Sequence, residues 1–215
     1  GGDQMHDIGK HFLEMLNITH EMAKLVEPHI FDHSLSLEDR SKVYELDVSV
    51  NKLERTIRKR IIAHLATNQP QTVYCLLLMM LSKDAERIGD YIKNISEVAE
   101  LGGSPLPESP LRSELSEIVA AAMTLFAAVG SIVEAQNRER ATELLQFGRN
   151  SGKRCDRLLV ELANSDLTPA QVTSMVLLTR FYKRIGAHLV NILSSVVMPL
   201  HKVDFYDERE FKDRL

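Results

Sequence analysis

Glu86 and Asp90 stand four residues apart in the stretch LSKDAERIGDYIKNISE, Leu81 to Glu97, and carboxylates at that spacing lie one above the other on a helix. Apolar residues at Leu77, Leu81, Ile88, Ile92 and Ile95 mark a different face, so both acids point away from the apolar stripe. Like charges placed this way repel by about 0.2–0.5 kcal/mol, and Gly89 between them costs a helix interior roughly 0.5–1 kcal/mol relative to Ala. Neither choice favours the helix. Carboxylate oxygens suit hard or borderline cations, which makes a metal site the first chemical reading. The plainer reading is a solvated face on which Lys83 and Lys93, each three residues from a carboxylate, neutralise the pair.

A third acid lies on the preceding helical pattern. Its core stripe is Val43, Leu46, Val50, Leu53, Ile57 and Ile61, and Asp47, Asn51, Glu54 and Arg58 form a parallel row roughly 100° round from it. If the short turn Thr67 to Gln71 joins two antiparallel helices, the two carboxylate-bearing rows meet at the bundle surface. The candidate metal ligands are therefore Asp47, Glu86 and Asp90, with Asn51 as a weaker neutral one. Ligands must be deprotonated, so affinity is expected to fall as pH drops through the carboxylate range near about 4.

The chain repeats itself. Ninety-seven residues on it reads RFYKRIGAHLVNILSSVV, so that Arg87, Ile88, Gly89, Asn94 and Ile95 recur as Arg184, Ile185, Gly186, Asn191 and Ile192. At these residues ERIGDYIKNISE resembles the signature of the PhoU family of phosphate-uptake regulators, whose repeats each end in a helix carrying E/D-R-I/L-G-D followed by N-I-A/S-E. Asp47, Val50 and Asn51 in DVSVN match the pattern of the helix before it. The resemblance covers nearly the whole chain, strong in the first repeat and degenerate in the second. It implies E/DxxxD motifs that hold transition-metal clusters at the bundle surface, with iron, zinc, manganese and nickel as the candidate metals. The family's second acid in the helix-two motif is Asn51 in this chain, which lowers the anionic charge. In the second repeat Lys183 and Ala187 take the places of Glu86 and Asp90, the fifth helix has no Asp or Glu from Leu144 to Cys155, and Glu139 and Glu143 lie too near its start. A second site is expected to be lost.

Helical periodicity and punctuation place these residues on six elements. The first runs from about Asp3 to Val26 and ends at Pro28, followed by a polar loop, His29 to Ser36. The second starts at Ser36 or Leu37, and the third spans Gln71 to Leu101. GGSPLPESP, Gly102 to Pro110, reads as a helix stop and linker. The fourth helix runs from Leu111 to Ala135 and is uncharged from Ile118 to Val133. Those sixteen residues fall short of the roughly 20 that span a bilayer, so it is expected to sit in the centre of a bundle. The fifth covers Asn137 to Ala163, with Gly148 and Gly152 weakening its middle. After the turn Asn164 to Pro169, the sixth extends to about Met198, with Thr168 and Pro169 as N-cap and N1.

The expected fold is all-α, two tandem three-helix bundles over 1–101 and 111–200, with a linker at 102–110 and a charged tail at 201–215 that carries Phe205, Tyr206 and Phe211 for partial docking. Helix three should pack antiparallel on helix two and helix six on helix five, with Gly89 and Gly186 at equivalent close crossings.

With a net charge of −4 and a pI near 6.1 there is no overall basic field of the kind that attracts nucleic acid. One local basic run, KLERTIRKR, sets Lys52, Arg55 and Lys59 on one face with Arg58 beside them, which reads as an anion or acidic-partner surface or as a solvated face. Cys75 and Cys155 have no CxxC or Cys/His spacing and are expected to be reduced and buried; His64 and His188 read as lone packed or surface residues. No secretory signal is visible, and no GxSxG, GxxxxGK(S/T), HExxH or ExxH pattern occurs. The resemblance therefore implies a non-catalytic cytoplasmic regulator of phosphate uptake or signalling that docks on a membrane transporter or sensor kinase, and it leaves homodimer formation open. Two other classes remain: the soluble cytoplasmic domain of a sodium/phosphate cotransporter, and a carboxylate-bridged di-metal enzyme.

Overall fold

Side-chain caps start four of the six helices where the sequence places them. The computed structural model describes residues 2–67 and 70–203, with side chains from Met5 onward. The helices are α1 (Gly2–Val26), α2 (Leu37–Ala66), α3 (Thr72–Ser96), α4 (Pro110–Ala135), α5 (Arg138–Ala163) and α6 (Pro169–Val197), with single 3-10 turns at Glu27–His29 and Leu200–Lys202. Ser36, Ser109, Asn137 and Thr168 each accept a hydrogen bond from the backbone N–H three residues on, at 3.0–3.2 Å. Each such cap is worth about 0.5–2 kcal/mol. Thr168 and Gln171 complete a reciprocal capping box. α3 has no such side chain: Gln71 at its start adopts φ 76°, left-handed backbone.

α1, α2 and α3 pack on one another, as do α4, α5 and α6, and the two sets join through α3 against α6 and α1 against α4. One continuous apolar core results, from Met5, Ile8 and Phe12 through Ile57, Leu81 and Ile88 to Leu125, Ile185 and Leu193. His20 of α1 stacks on Phe126 of α4 with ring centroids 5.7 Å apart. Tyr91 of α3 stacks on His188 of α6 at 5.9 Å.

α3 ends at Ser96, five residues earlier than the periodicity predicts, and residues 97–102 form turns. Gly102, at φ 96°, makes the left-handed bend. The segment read as a linker is tied to both halves: Ser104 N–H bonds Ala170 O at 3.3 Å, Leu106 N–H bonds Phe31 O at 2.8 Å, and Ser174 Oγ–H bonds Ser104 O at 2.7 Å. Leu106 is buried, and the Arg112 guanidinium caps its carbonyl at 2.6 Å while lying over the Phe31 ring.

α4 is not the central helix expected from its composition. Over its 26 residues it is long and apolar enough to cross a bilayer, so the uncharged sixteen-residue run understates its apolar length. Its large side chains, among them Leu115, Ile118, Leu125, Phe126 and Ile132, are buried against α1, α5 and α6, whereas Ala120, Thr124, Ala127 and Ser131 are exposed. Small residues on the outside make the helix read as apolar all round. The tail expected to dock after His201 lies, from 204 onward, outside the described residues; the described chain closes on buried Val203.

The glycine crossings differ between the halves. A Cβ on Gly89 would lie 3.1 Å from Asp47 Oδ1 of α2, so Gly89 does mark a close approach, but a Cβ on Gly186 would meet nothing within 4 Å. In the second half the close approach has moved to α5, where a Cβ on Gly148 would fall 2.3 Å from Cγ2 of Val190 on α6. Gly148 therefore admits α6, and Gly152, with open space around it, does not. Thermal denaturation checks this difference. Gly186→Ala should stabilise by about 0.5–1 kcal/mol through helix propensity alone. Gly148→Ala should destabilise by about 1–3 kcal/mol, because a stiff β-branched side chain must move.

Candidate functional site

The antiparallel packing of α3 on α2 brings the predicted rows together, but inside the interface instead of on the open surface. Asp47 is 3% exposed and Glu54 5% exposed. Asp47 faces α3 where Gly89 lets the backbone approach, and Lys93 Nζ donates to its Oδ2 at 3.3 Å. Asp47 Oδ1 is buried without a hydrogen-bond partner. Asn51 sits half-buried one turn on, and Glu54 follows, paired with Arg58 on its own helix. On α3, Glu86 is mostly buried and accepts from Lys83 Nζ at 2.9 Å. Asp90, one turn further and half-buried, hydrogen-bonds Glu86.

The sequence expectation that these acids would be spared burial is thus corrected. The rows lie beside the apolar stripes rather than opposite them, so packing of two helices covers both. Lys83 neutralises Glu86 as the spacing suggests. Lys93 instead reaches across to Asp47, a pairing that no spacing within α3 reveals.

Burial, the hydrogen bond to Glu86 and the charges of Glu86 and Asp47 push the Asp90 carboxyl up to about 6, against the opposing pull of Lys93. Burial also pushes Glu86 up, but hydrogen bonds from Lys83 and Asp90 and the charges of Lys83 and Arg87 outweigh it and hold the group below its ordinary value. Glu54 is raised by burial and by the charge of Glu86, with Arg58 and Lys83 opposing. The two α3 acids are therefore pushed apart, Asp90 up and Glu86 down.

In the second half, Lys183 in the place of Glu86 pairs with Asp156 of α5 at 2.5 Å, and Ala187 in the place of Asp90 is exposed. Glu143 pairs with Arg140 at 2.8 Å on the exposed start of α5, and Glu139 is likewise exposed. Sequence reasoning missed a polar link between the halves: Asp84 of α3, 8% exposed, receives Nδ1 of His188 at 2.8 Å and Nδ2 of Asn191 at 3.4 Å, both from α6. His188 is not lone, and its partner lies 104 positions away in the chain. His64 is packed as expected, with Nε2 at 2.8 Å from Pro70 O. Cys75 and Cys155 are free thiols in the core.

Among the described residues, no three His, Cys, Asp or Glu side chains are grouped so as to hold a metal ion. The donors that are adjacent supply only carboxylate oxygens, and one of these, Asp47 Oδ1, has an unused lone pair in a buried position. That donor chemistry fits a hard or borderline cation.

The fold and site define a two-part six-helix bundle with a carboxylate row between its second and third helices. Residues 12–99, which carry that row, match the PhoU domain family model, so this stretch of the chain is a PhoU domain. It is 25% identical to the phosphate-specific transport system accessory protein PhoU homolog of Pseudomonas aeruginosa, over 94% of this chain and 85% of that protein. The homolog of the same name from Pseudomonas putida is 26% identical, over 85% and 76% respectively. The crystal structure of PhoU from Pseudomonas aeruginosa superposes with a TM-score of 0.81 at 20% identity, over 93% of this chain and 98% of that one. The phosphate transport system regulatory protein PhoU from Streptococcus pneumoniae gives 0.77 at 17%, over 90% and 93%. These two likenesses establish the fold across both halves.

The shifted Asp90 sets a pH dependence in chelator-treated protein. Between its ordinary 3.8 and about 6, the folded state holds a proton that the unfolded chain has released. Its contribution to stability is thus complete below the lower value and is lost as pH rises through the upper one. Glu86, held low, gives the opposite slope only below its ordinary 4.5. Asp90→Asn, uncharged and able to donate to Glu86, should melt above the parent at pH 8 and level with it near pH 4. A lower melting temperature at pH 8 would mean that ionised Asp90 is stabilised by a partner.

Proposed function

We propose that the chain is a non-catalytic accessory regulator of a phosphate transport system, acting on the cytoplasmic side by docking on the membrane transporter or on its sensor kinase. The observation that carries this reading is the PhoU match over 12–99, which falls on the three helices that build the carboxylate row and is accompanied by curated relatives named as phosphate-specific transport system accessory proteins. Expression in a Pseudomonas putida strain lacking its own PhoU homolog tests it. Restored phosphate-dependent control of uptake is the expected result, and soluble, folded protein that restores none would overturn the reading.

The orphaned Oδ1 of Asp47 favours a second element of the proposal, a cation held by Asp47, Glu86 and Asp90 with Asn51 at the margin. Such an ion would supply the positive charge that Lys83 and Lys93 now provide, and Lys93 would have to leave Asp47 for it to bind. The carboxylates need only be ionised and held in place by the α2/α3 packing; no reaction step is assigned to them. Titration of chelated protein with iron, zinc, manganese and nickel should show binding that is lost in the double variant Glu86→Gln, Asp90→Asn. Unchanged stoichiometry in that variant would place the ion elsewhere.

A further inference from the structure

A crevice of about 570 Å³ opens between α2, α3 and α6, behind the acidic row, lined by Arg58, Met79, Met80, Lys83, Asp84, Arg87, His188 and Asn191. Its charge is opposite to that of the row. Arg58 comes from α2, and Lys83 and Arg87 stand one turn apart on α3, a spacing at which like charges cost a helix a few tenths of a kcal/mol. Asp84 is the single carboxylate on the wall, and its Oδ1 already meets His188 Nδ1 and Asn191 Nδ2. Arg87 is exposed and makes no ion pair or hydrogen bond among the described residues. Met79 and Met80, half-buried, form the apolar part of the wall.

We propose that this crevice binds a phosphorylated small molecule, with its phosphoryl group on Arg58, Lys83 and Arg87 and its organic portion against Met79 and Met80. Two guanidinium forks and an ammonium offer more charge-assisted donors than Glu54 and Glu86, their present partners, can use, and they suit the three oxygens of a phosphoryl group. The volume lies in the range of small-molecule sites and exceeds what a bare phosphate ion fills. Methionine side chains adapt to a flat or irregular organic group. The site is distinct from the carboxylate row but shares two residues with it, since Arg58 holds Glu54 and Lys83 holds Glu86. A bound phosphoryl group competes with those acids for the same cations. Relieving that competition should therefore tighten binding.

Isothermal titration of metal-free protein at fixed moderate salt tests the assignment with four probes: adenosine monophosphate, glucose 6-phosphate, inorganic phosphate and adenosine. One-to-one binding of an organic phosphate is expected, weakened about tenfold or more by Arg87→Gln, as for loss of a charge-assisted hydrogen bond. Arg55→Gln, on the outer face of α2, should change it less than twofold, and Glu86→Gln should tighten it severalfold by freeing Lys83. Arg87 is exposed, so its substitution leaves the fold intact, which circular dichroism verifies. Adenosine binding as tightly as its phosphate, no saturable binding of any phosphate, or equal losses in Arg87→Gln and Arg55→Gln would overturn the site. Inorganic phosphate binding as tightly as either organic phosphate would overturn the role of Met79 and Met80. Unaltered affinity in Glu86→Gln would overturn the competition. Because the measurement uses neither a cation nor a transporter, its failure leaves the regulatory reading to its own test.

Discussion

Helix α3 packs on α1, α2 and α6 at once, and most of the polar chemistry of the molecule follows from that constraint. A helix with three neighbours cannot leave all its polar residues in water, so those flanking its apolar stripe become interfacial and must find partners. Toward α2 the partner is Asp47, which Lys93 reaches, while Glu86 pairs with Lys83 of α3 itself; toward α6 the links are the hydrogen bonds on Asp84 and the stacking of Tyr91. Gly89 lies at a tight one of these contacts, beside the one buried carboxylate oxygen that has no hydrogen-bond partner among the described residues.

The α2/α3 interface holds four carboxylates, Asp47, Glu54, Glu86 and Asp90, against three cations bonded to them, Arg58, Lys83 and Lys93. Below about pH 6 the proton on Asp90 balances the set. Above it one negative charge is left over in a partly dehydrated place, where charge is costly unless paired. A row built this way is close to neutral yet one unit short of cation. It can respond to a proton, to an external cation, or to anything that draws Arg58 or Lys83 away from their acids. The basic crevice on the far side of those two residues gives the row a neighbour of opposite charge.

Each half holds three mutually packed helices, and the two halves differ in what they place at the positions that the sequence repeat aligns. Where the first half sets Glu86 and Asp90 facing a buried acid, the second sets Lys183 in an ion pair with Asp156 and an exposed Ala187. Where the first half crosses at a glycine of its third helix, the second crosses at Gly148 of α5. The second half thus contributes contacts, through His188, Asn191 and Arg184, whose Nε bonds Tyr91 at 3.2 Å, more than it contributes a site of its own. The segment after Gly102 is part of the same arrangement, clasped to the turn after α1 and to the start of α6.

By itself the sequence determined the six helices, the Thr168 cap of α6 and the antiparallel pairing of α2 with α3, because periodicity, capping residues and short turns act over a few residues. It also singled out Asp47, Glu86 and Asp90 as one group and the R-I-G core as a repeat, since both are matters of spacing. Only the tertiary structure decided that the acids are interfacial, that Lys93 serves Asp47, that α4 is peripheral, and that Asp84 meets His188. A helical wheel gives the direction of a side chain but not how far the next helix wraps round it. Pairings across 46 and 104 positions are likewise set by how the helices pack, about which local spacing carries no information.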